Sequence, residues 1–274
     1  MIIRGITFKA AALLSVLLSL MISASSIAEG VRGARASDNA FHTVSPVPSN
    51  AKRKRPVGAW LLASLQQSSQ SALLAIVNQP EILPHQRNVA DTVLRTLPSA
   101  CREHLQHFAV LYDKNNQRGL GGKTTIIIDG TVADSEFMGL LTHECGHVIH
   151  GNLLGNAPSG ASGFRDGNDV FFRDSPAFAF FALSWNSERV MKAGLGDKDF
   201  VSGYAKSDAF EDFAETFTVY ALHRPAMRQQ AKVSAIVAAK LQWMEIFLPL
   251  PENALGQSTY AWNGSVPWDA TKLP

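Results

Sequence analysis

His143-Glu144-Cys145-Gly146-His147 is the stretch that decides how this chain of 274 residues is interpreted. On an α-helix, residues four apart project from the same face, so the two imidazoles can bind one metal ion. The glutamate between them then lies beside the ion, where its carboxylate can take a proton from metal-bound water. The pentapeptide therefore predicts a helix that carries a catalytic zinc site, with Glu144 as the general base.

The residues before and after the pentapeptide favour the same helix. Asp134 or Ser135 offers an N-cap, and apolar residues follow at helical spacing. At 100° per residue, the side opposite the metal ligands collects the apolar side chains Phe137, Leu141, Cys145, Val148 and Ile149. His150 falls on the ligand face, and we interpret it as a cation at the helix C-terminus, ahead of Gly151.

A catalytic zinc site needs a third protein ligand and leaves the fourth position to water. One common arrangement requires Gly at 150 and His at 153, but this chain has His150 and Leu153, which argues against it. The other takes a glutamate from a later helix, and residues 208–217 contain Glu211 and Glu215 four positions apart. We predict that Glu211 binds zinc and that Glu215 accepts the N–H of a ligating imidazole. The reverse assignment, with Glu215 as the ligand, also fits this spacing.

The H-E-C-G-H segment at 143–147 and the E-D-F-A-E segment at 211–215, taken with Tyr204, resemble the gluzincin-type zinc metallopeptidases. The resemblance is closest to the lethal-factor-like branch of zinc endopeptidases. It implies zinc as the cofactor and Glu211 as the third ligand. It also implies that Tyr204, seven residues before Glu211, faces the metal and helps to polarise the scissile carbonyl. The resemblance covers residues 140–222.

Elements outside the motif are predicted from periodicity. Helices are expected over 60–77 and 85–97, and strands over 107–112 and 124–128, with the Gly-rich segment 115–122 joining the strands. This order predicts an α+β, zincin-like fold, in which a small sheet lies beside the HExxH helix and a second, glutamate-bearing helix. By analogy with zincins, we expect 124–128 to be the edge strand that holds an extended substrate backbone.

The N-terminus predicts export. Arg4 and Lys9 precede an apolar run at 10–22, and small residues ending at Ala28 suit a signal peptidase. Residues 1–28 are therefore interpreted as a signal peptide cut after Ala28, which predicts a secreted or periplasmic protein. The apolar run is shorter than the roughly 20 residues of a comfortable membrane span. We expect no stable membrane span after cleavage, with an uncleaved anchor as the alternative.

Charge separates the remaining chain into two parts. Residues 29–57 carry six basic and two acidic side chains and few residues that could be buried, which predicts a disordered basic linker. Residues 58–274 carry 17 basic and 21 acidic side chains at ordinary globular composition, so we interpret them as the metallopeptidase domain. Nothing in that domain indicates binding to nucleic acid, and no pattern predicts an oligomeric state.

The chain has two cysteines, Cys101 and Cys145. We interpret Cys145 as a small buried hydrophobic residue, with a disulfide between the two as the alternative in an exported protein. Neither is predicted to bind zinc.

The sequence as a whole predicts an exported zinc metallopeptidase, a hydrolase that acts on a peptide or protein substrate. The predicted site consists of His143, His147 and Glu211 as metal ligands, Glu144 and Tyr204 as catalytic groups, and Glu215 in support. Two alternatives are a non-catalytic binding protein stabilised by zinc, and a zinc amidase that acts on cell-wall peptides.

Overall fold

The computed structural model describes residues 72–113 and 118–274, within a unit that spans Gln67–Pro274. The predicted signal peptide at 1–28, the predicted linker at 29–57 and most of the helix predicted over 60–77 lie outside the described residues. In the last part of that helix, residues 72–74 have no regular secondary structure and residues 75–77 form a turn, so the prediction is wrong there. The backbone N–H of Leu74 donates to the Asp91 carboxylate, which ties this segment to the next helix.

The described residues form seven α-helices: α1 (Pro84–Thr96), α2 (Ser99–His104), α3 (Asp134–Gly151), α4 (Pro176–Ser184), α5 (Ala209–Leu222), α6 (Arg224–Ala231) and α7 (Ala235–Phe247). They also form seven short strands: β1 (His107–Leu111), β2 (Gly119–Gly121), β3 (Thr125–Asp129), β4 (Ala161–Asp166), β5 (Asp169–Phe172), β6 (Trp185–Ser187) and β7 (Val190–Met191). This mixed content confirms the predicted α+β class. The helix predicted over 85–97 and the strands predicted over 107–112 and 124–128 are confirmed as α1, β1 and β3.

Three strands form the sheet beside α3, in the order β1-β3-β2. β1 and β3 run parallel, and β2 pairs with β3 antiparallel. Segment 124–128 therefore lies at the centre of the sheet, and the prediction that it forms the edge strand is wrong. The edge nearest the predicted site is β2, which comes from the Gly-rich segment that was expected to be a loop.

The apolar side of the motif helix α3 is as predicted, but its N-cap residue is not. Its N-cap is Ala133, and no side chain caps it, so the prediction of a cap at Asp134 or Ser135 is wrong. Asp134 and Glu136 instead lie in the first turn, where negative charge interacts favourably with the helix dipole. The predicted apolar side is confirmed, because each of its members is buried: Phe137, Leu141, Cys145, Val148 and Ile149.

A disulfide between Cys101 and Cys145 joins α2 to the apolar side of α3, with 5.3 Å between the two Cα atoms. Our preferred interpretation of Cys145 as an unpaired buried residue is therefore wrong, and the alternative is correct. Sequence spacing could not settle the question, because α2 and α3 are 44 residues apart at the cysteines and meet only in the folded chain. The disulfide fixes the apolar side of α3 against α2.

Helices α3 and α5 cross at two small residues. A Cβ atom on Gly146 would lie 2.8 Å from the Cα atom of Ala214, so only glycine permits this approach of the two backbones. Behind α5, the fully buried Lys240 ammonium lies 2.7 Å from the Asp212 carboxylate. Together, the crossing and the ion pair orient α5. The face of α5 that carries Glu211 therefore lies opposite the histidines of α3.

The C-terminal residues pack against α3 at Gly139. A Cβ atom on Gly139 would lie 2.5 Å from the Thr271 carbonyl oxygen, which shows how closely this segment follows the helix. A short helical turn at Ala270–Lys272 lies there. Within the described part of the chain, no helix has both the length and the apolar character needed to cross a membrane.

Candidate metal centre

Three predicted ligands converge between α3 and α5. His143 Nε2 lies 3.2 Å from His147 Nε2 and 3.2 Å from Glu211 Oε2, and His147 Nε2 lies 3.6 Å from the same oxygen. Ligand atoms held 2.0–2.1 Å from a tetrahedral ion are about 3.3 Å apart, so this triangle fits one metal ion. Glu211 Oε2 is buried, and it has no hydrogen-bond partner among the described residues. His143, Glu144 and His147 form a group that could hold a metal ion.

The electrostatics of the triangle favour a positive charge at its centre. Burial lowers the pKa of His143, but its close contacts with the Glu211 and Glu215 carboxylates outweigh burial and raise that pKa to about 10. Burial raises the pKa of Glu211, whereas its contacts with His143 and His147 bring it well below its usual range. A proton or a metal cation between these groups is therefore stabilised by the same carboxylates.

Glu215 fixes the orientation of His143. Its Oε1 atom lies 2.9 Å from His143 Nδ1, and its side chain is completely buried. Its Oε2 atom accepts hydrogen bonds from the Ser202 hydroxyl at 2.5 Å and from the Ala270 backbone N–H at 2.8 Å. With the imidazole proton donated to Glu215, the Nε2 lone pair of His143 points into the triangle. Glu211 thus lies at the triangle and Glu215 at the other end of the His143 ring, and the assignment of Glu211 as the metal ligand stays a prediction.

His150 contacts the Nδ1 atom of His147, as Glu215 contacts that of His143. Its Nε2 atom lies 3.0 Å from His147 Nδ1. The imidazole is buried among four aromatic rings, those of Phe171, Phe181, Phe210 and Phe213. Burial, followed by the nearby charge of His147, lowers the pKa of His150 well below its usual value. The prediction of a cation at this helix end is therefore wrong, because burial favours the neutral imidazole, whose Nε2 atom can accept a hydrogen bond from His147 Nδ1.

Glu144 lies beside the triangle, covered by the edge strand β2. A Cβ atom on Gly119 would overlap Glu144 Oε1, and one on Gly121 would lie 2.5 Å from Glu144 Oε2. Only glycine can bring a strand so close to this carboxylate. Burial raises the pKa of Glu144, although His143 and His147 oppose the shift. A carboxylate with a raised pKa is a better proton acceptor for general-base catalysis.

Tyr204 lies on the other side of His143, with 6.1 Å between the two ring centroids. It begins a short helical turn, Tyr204–Lys206, just before α5. Burial, and then the charge of Glu211, raises the pKa of the Tyr204 hydroxyl. The hydroxyl therefore stays protonated at neutral pH and is able to donate a hydrogen bond.

The triangle lies at the meeting point of two cavities, and His143, Glu144 and Tyr204 line both. The larger has a volume of about 510 Å³ and extends towards the C-terminal segment. The smaller, of about 220 Å³, extends past Asp166 and Asp208, two carboxyl groups whose pKa values are raised by burial.

Sequence reasoning missed several residues of this cleft. The two glycines of β2, the partner role of His150, and the cavity wall at Asp166 and Trp268 were not predicted. One local signal was present, because His150 follows His147 by three residues and so lies one turn further along the same face. The others depend on contacts between segments that are distant in the sequence.

No model of a known protein family, no curated protein and no solved structure matches this chain. The chain is an α+β protein with an H-E-x-x-H helix, on which His143, Glu144 and His147 form a group that could hold a metal ion.

Proposed function

We propose that this chain is an exported zinc metallopeptidase with a zincin-like fold of the gluzincin type. The observation that carries the proposal is the triangle of His143 Nε2, His147 Nε2 and Glu211 Oε2, with sides of 3.2, 3.2 and 3.6 Å. Two imidazoles and one carboxylate are a donor set that suits zinc. Three protein ligands leave a fourth position for water, as in catalytic sites, whereas structural zinc sites are closed by four protein ligands.

The residues around the triangle support a role in peptide hydrolysis. A bound zinc ion would lower the pKa of a water molecule and polarise the scissile carbonyl. Glu144 would accept a proton from the attacking water and donate it to the leaving amine. Tyr204 donates a hydrogen bond to the carbonyl oxygen as negative charge develops on it.

The supporting groups keep both imidazoles in the ligating tautomer. Glu215 accepts the Nδ1 proton of His143, and His150 accepts that of His147. Strand β2 ends the three-stranded sheet beside Glu144, and an extended peptide substrate would pair with its free edge. This edge takes the role that the sequence analysis gave to segment 124–128.

Export is part of the proposal. The Cys101–Cys145 disulfide supports it, because disulfides persist in secreted and periplasmic proteins and are rare in the cytosol. A signal peptide at 1–28, cut after Ala28, and a basic linker at 29–57 would deliver the peptidase domain to that compartment.

The test compares the wild-type protein with Glu144→Gln. We expect one zinc ion per chain in both by elemental analysis, with hydrolysis of a mixed peptide library detected by mass spectrometry only in wild type. Loss of zinc together with activity would mean that Glu144 is not the base. If zinc-loaded wild type cleaves no peptide of the library, the two alternatives remain: a cell-wall amidase and a non-catalytic binding protein. Incubation with cell-wall peptides distinguishes them, because only the amidase would cleave these peptides. A wild-type protein that binds no zinc would overturn the proposal.

A further inference from the structure

The C-terminal segment is built into the candidate active site. The backbone N–H groups of Gly203 and Tyr204 donate to the carbonyl oxygens of Pro267 and Trp268, at 2.8 and 2.7 Å. Two residues further on, the Ala270 N–H donates to the carboxylate that orients His143. The position of Trp268 is therefore fixed by backbone hydrogen bonds on both sides of it.

The Trp268 side chain is 73% exposed, the most exposed large apolar side chain in the described part of the protein. Its indole lies against the backbone of Gly203, because a Cβ atom there would be 2.6 Å from Trp268 Cε3. A buried tryptophan typically removes 150–250 Å² from water, and here most of that area stays accessible at the edge of the cleft. An exposed apolar surface on an ordered backbone, next to catalytic groups, is typical of a ligand contact.

Trp268 forms one wall of the 510 Å³ cavity, which continues directly to Glu144 and Tyr204. Leu140 adds a second apolar surface.

Arg118 also lines this cavity, but it is not free to bind an acidic group. Its guanidinium already donates to Glu136, Asp269 and Thr271, so its charge is neutralised by two carboxylates. The cavity thus offers apolar surface at Trp268 and Leu140, a saturated cation at Arg118 and the exposed Lys272 of the C-terminal segment.

We propose that this cavity is the subsite for one substrate side chain next to the scissile bond, and that it selects a large apolar side chain, aromatic or long aliphatic, which packs on Trp268. The inference rests on the proposed function, because it assigns the substrate class of the same site. Trp268 is the specificity-determining residue. An indole face is suited to this role because it provides a large contact area with few rotatable bonds.

The first experiment measures kcat/KM for peptides that differ at one position beside the mapped cleavage site, where Ala, Leu, Phe or Glu is placed. Wild type should prefer Phe or Leu over Ala by about tenfold or more, which is the discrimination expected of an apolar pocket. In Trp268→Ala this preference should fall to about twofold or less. The matched control is Ile246→Ala, another exposed apolar residue, which lies on α7 and should leave the preference unchanged. An unaltered preference in Trp268→Ala, or a wild-type preference for Glu, would overturn the proposal.

The second experiment does not require turnover. The same uncut peptides are titrated into Glu144→Gln protein loaded with zinc, with and without Trp268→Ala, and the dissociation constants are measured by calorimetry. Tighter binding of the Phe peptide that depends on Trp268 supports the subsite even if wild type cleaves nothing, in which case only the peptidase proposal fails. Equal binding of the Ala and Phe peptides overturns the subsite and leaves the peptidase proposal intact.

Discussion

Glu215 Oε1 lies 2.9 Å from the Nδ1 atom of His143, whereas Glu211 Oε2 lies 3.2 Å from its Nε2 atom. The two glutamates, one helical turn apart on α5, thus hold opposite ends of one imidazole. This division of roles predicts different consequences for their removal, since only one end of the ring faces the proposed ion.

Glu211→Ala should abolish zinc binding, because it removes one of three ligand atoms. Glu215→Gln should retain the ion with an affinity lowered by about 10–100-fold, the usual effect of altering a group that orients a ligand. Competition with a chelator of known affinity measures both. Thermal unfolding of the metal-free variants is the control for folding, since Glu215 is fully buried. Zinc retained in Glu211→Ala but lost in Glu215→Gln would establish the reverse assignment of the two glutamates.

Tyr204→Phe should lower kcat by about 10²-fold or more, the cost of removing one donor to a developing oxyanion, and should change KM little. The expectation follows from the raised pKa of Tyr204, which keeps its hydroxyl protonated throughout the neutral range. Steady-state kinetics on a cleaved peptide measure the two parameters. A variant with wild-type kcat would remove Tyr204 from the mechanism.

Gly119→Ala tests the approach of β2 to Glu144. The added methyl group would overlap the carboxylate and displace it, and a misplacement of about 1 Å can cost about 100-fold in rate. Zinc content should stay at one per chain, because the triangle itself is untouched. Gly122→Ala is the matched control, since a Cβ atom there meets nothing within 4 Å. Equal kcat in the two variants would show that β2 does not constrain the base.

His150→Phe separates orientation of His147 from simple packing. A phenyl ring fills the same aromatic cage but accepts no proton from His147 Nδ1, so zinc affinity should fall by about 10–100-fold. The metal-free variant should be at least as stable as wild type, because it removes the buried His150 Nδ1, which has no hydrogen-bond partner among residues 72–113 and 118–274. Chelator competition and urea unfolding provide the two readouts. A parallel loss of stability and affinity would indicate packing alone, whereas partial recovery of affinity in His150→Gln would indicate the lost acceptor.

The two site helices could be predicted from the sequence because their information is local. Apolar and polar residues alternate with a helical period in α3, and Glu211 and Glu215 follow the same period in α5. The α+β class follows from the order of these helices and two strands rich in Ile, Val and Phe.

The edge strand, the state of His150 and the role of the C-terminal segment could not be predicted in this way. β2 contains two glycines and shows no strand periodicity, and its position depends on pairing with β3. The pKa of His150 is lowered by burial among aromatic rings from α4, α5 and β5, and these elements meet only in the folded chain. The Trp268 carbonyl accepts a hydrogen bond from the Tyr204 N–H, and these two residues are 64 positions apart in the sequence, a separation over which no local pattern extends.

His223 predicts a specific dependence of stability on pH. Burial lowers its pKa to about 4, and its Nδ1 atom lies 2.6 Å from the Ser258 hydroxyl. In the unfolded chain its pKa is about 6.5, so between pH 6.5 and pH 4 only the unfolded state binds this proton. The stability that His223 contributes is therefore present above pH 6.5 and decreases as the pH falls, by at most about 1.4 kcal/mol per pH unit.

Urea unfolding of wild type and His223→Gln at pH 7, 6, 5 and 4.5 isolates this contribution. The two proteins share the proposed metal site and every titratable group other than His223. The variant should be the less stable protein at pH 7, since it loses the native packing of the imidazole. The difference in free energy of unfolding between the two proteins should then decrease by about 1–3 kcal/mol towards pH 4.5. Only wild type loses stability through protonation of His223 in its unfolded state. A gap that stays constant across the series would mean that His223 titrates alike in the folded and unfolded chains.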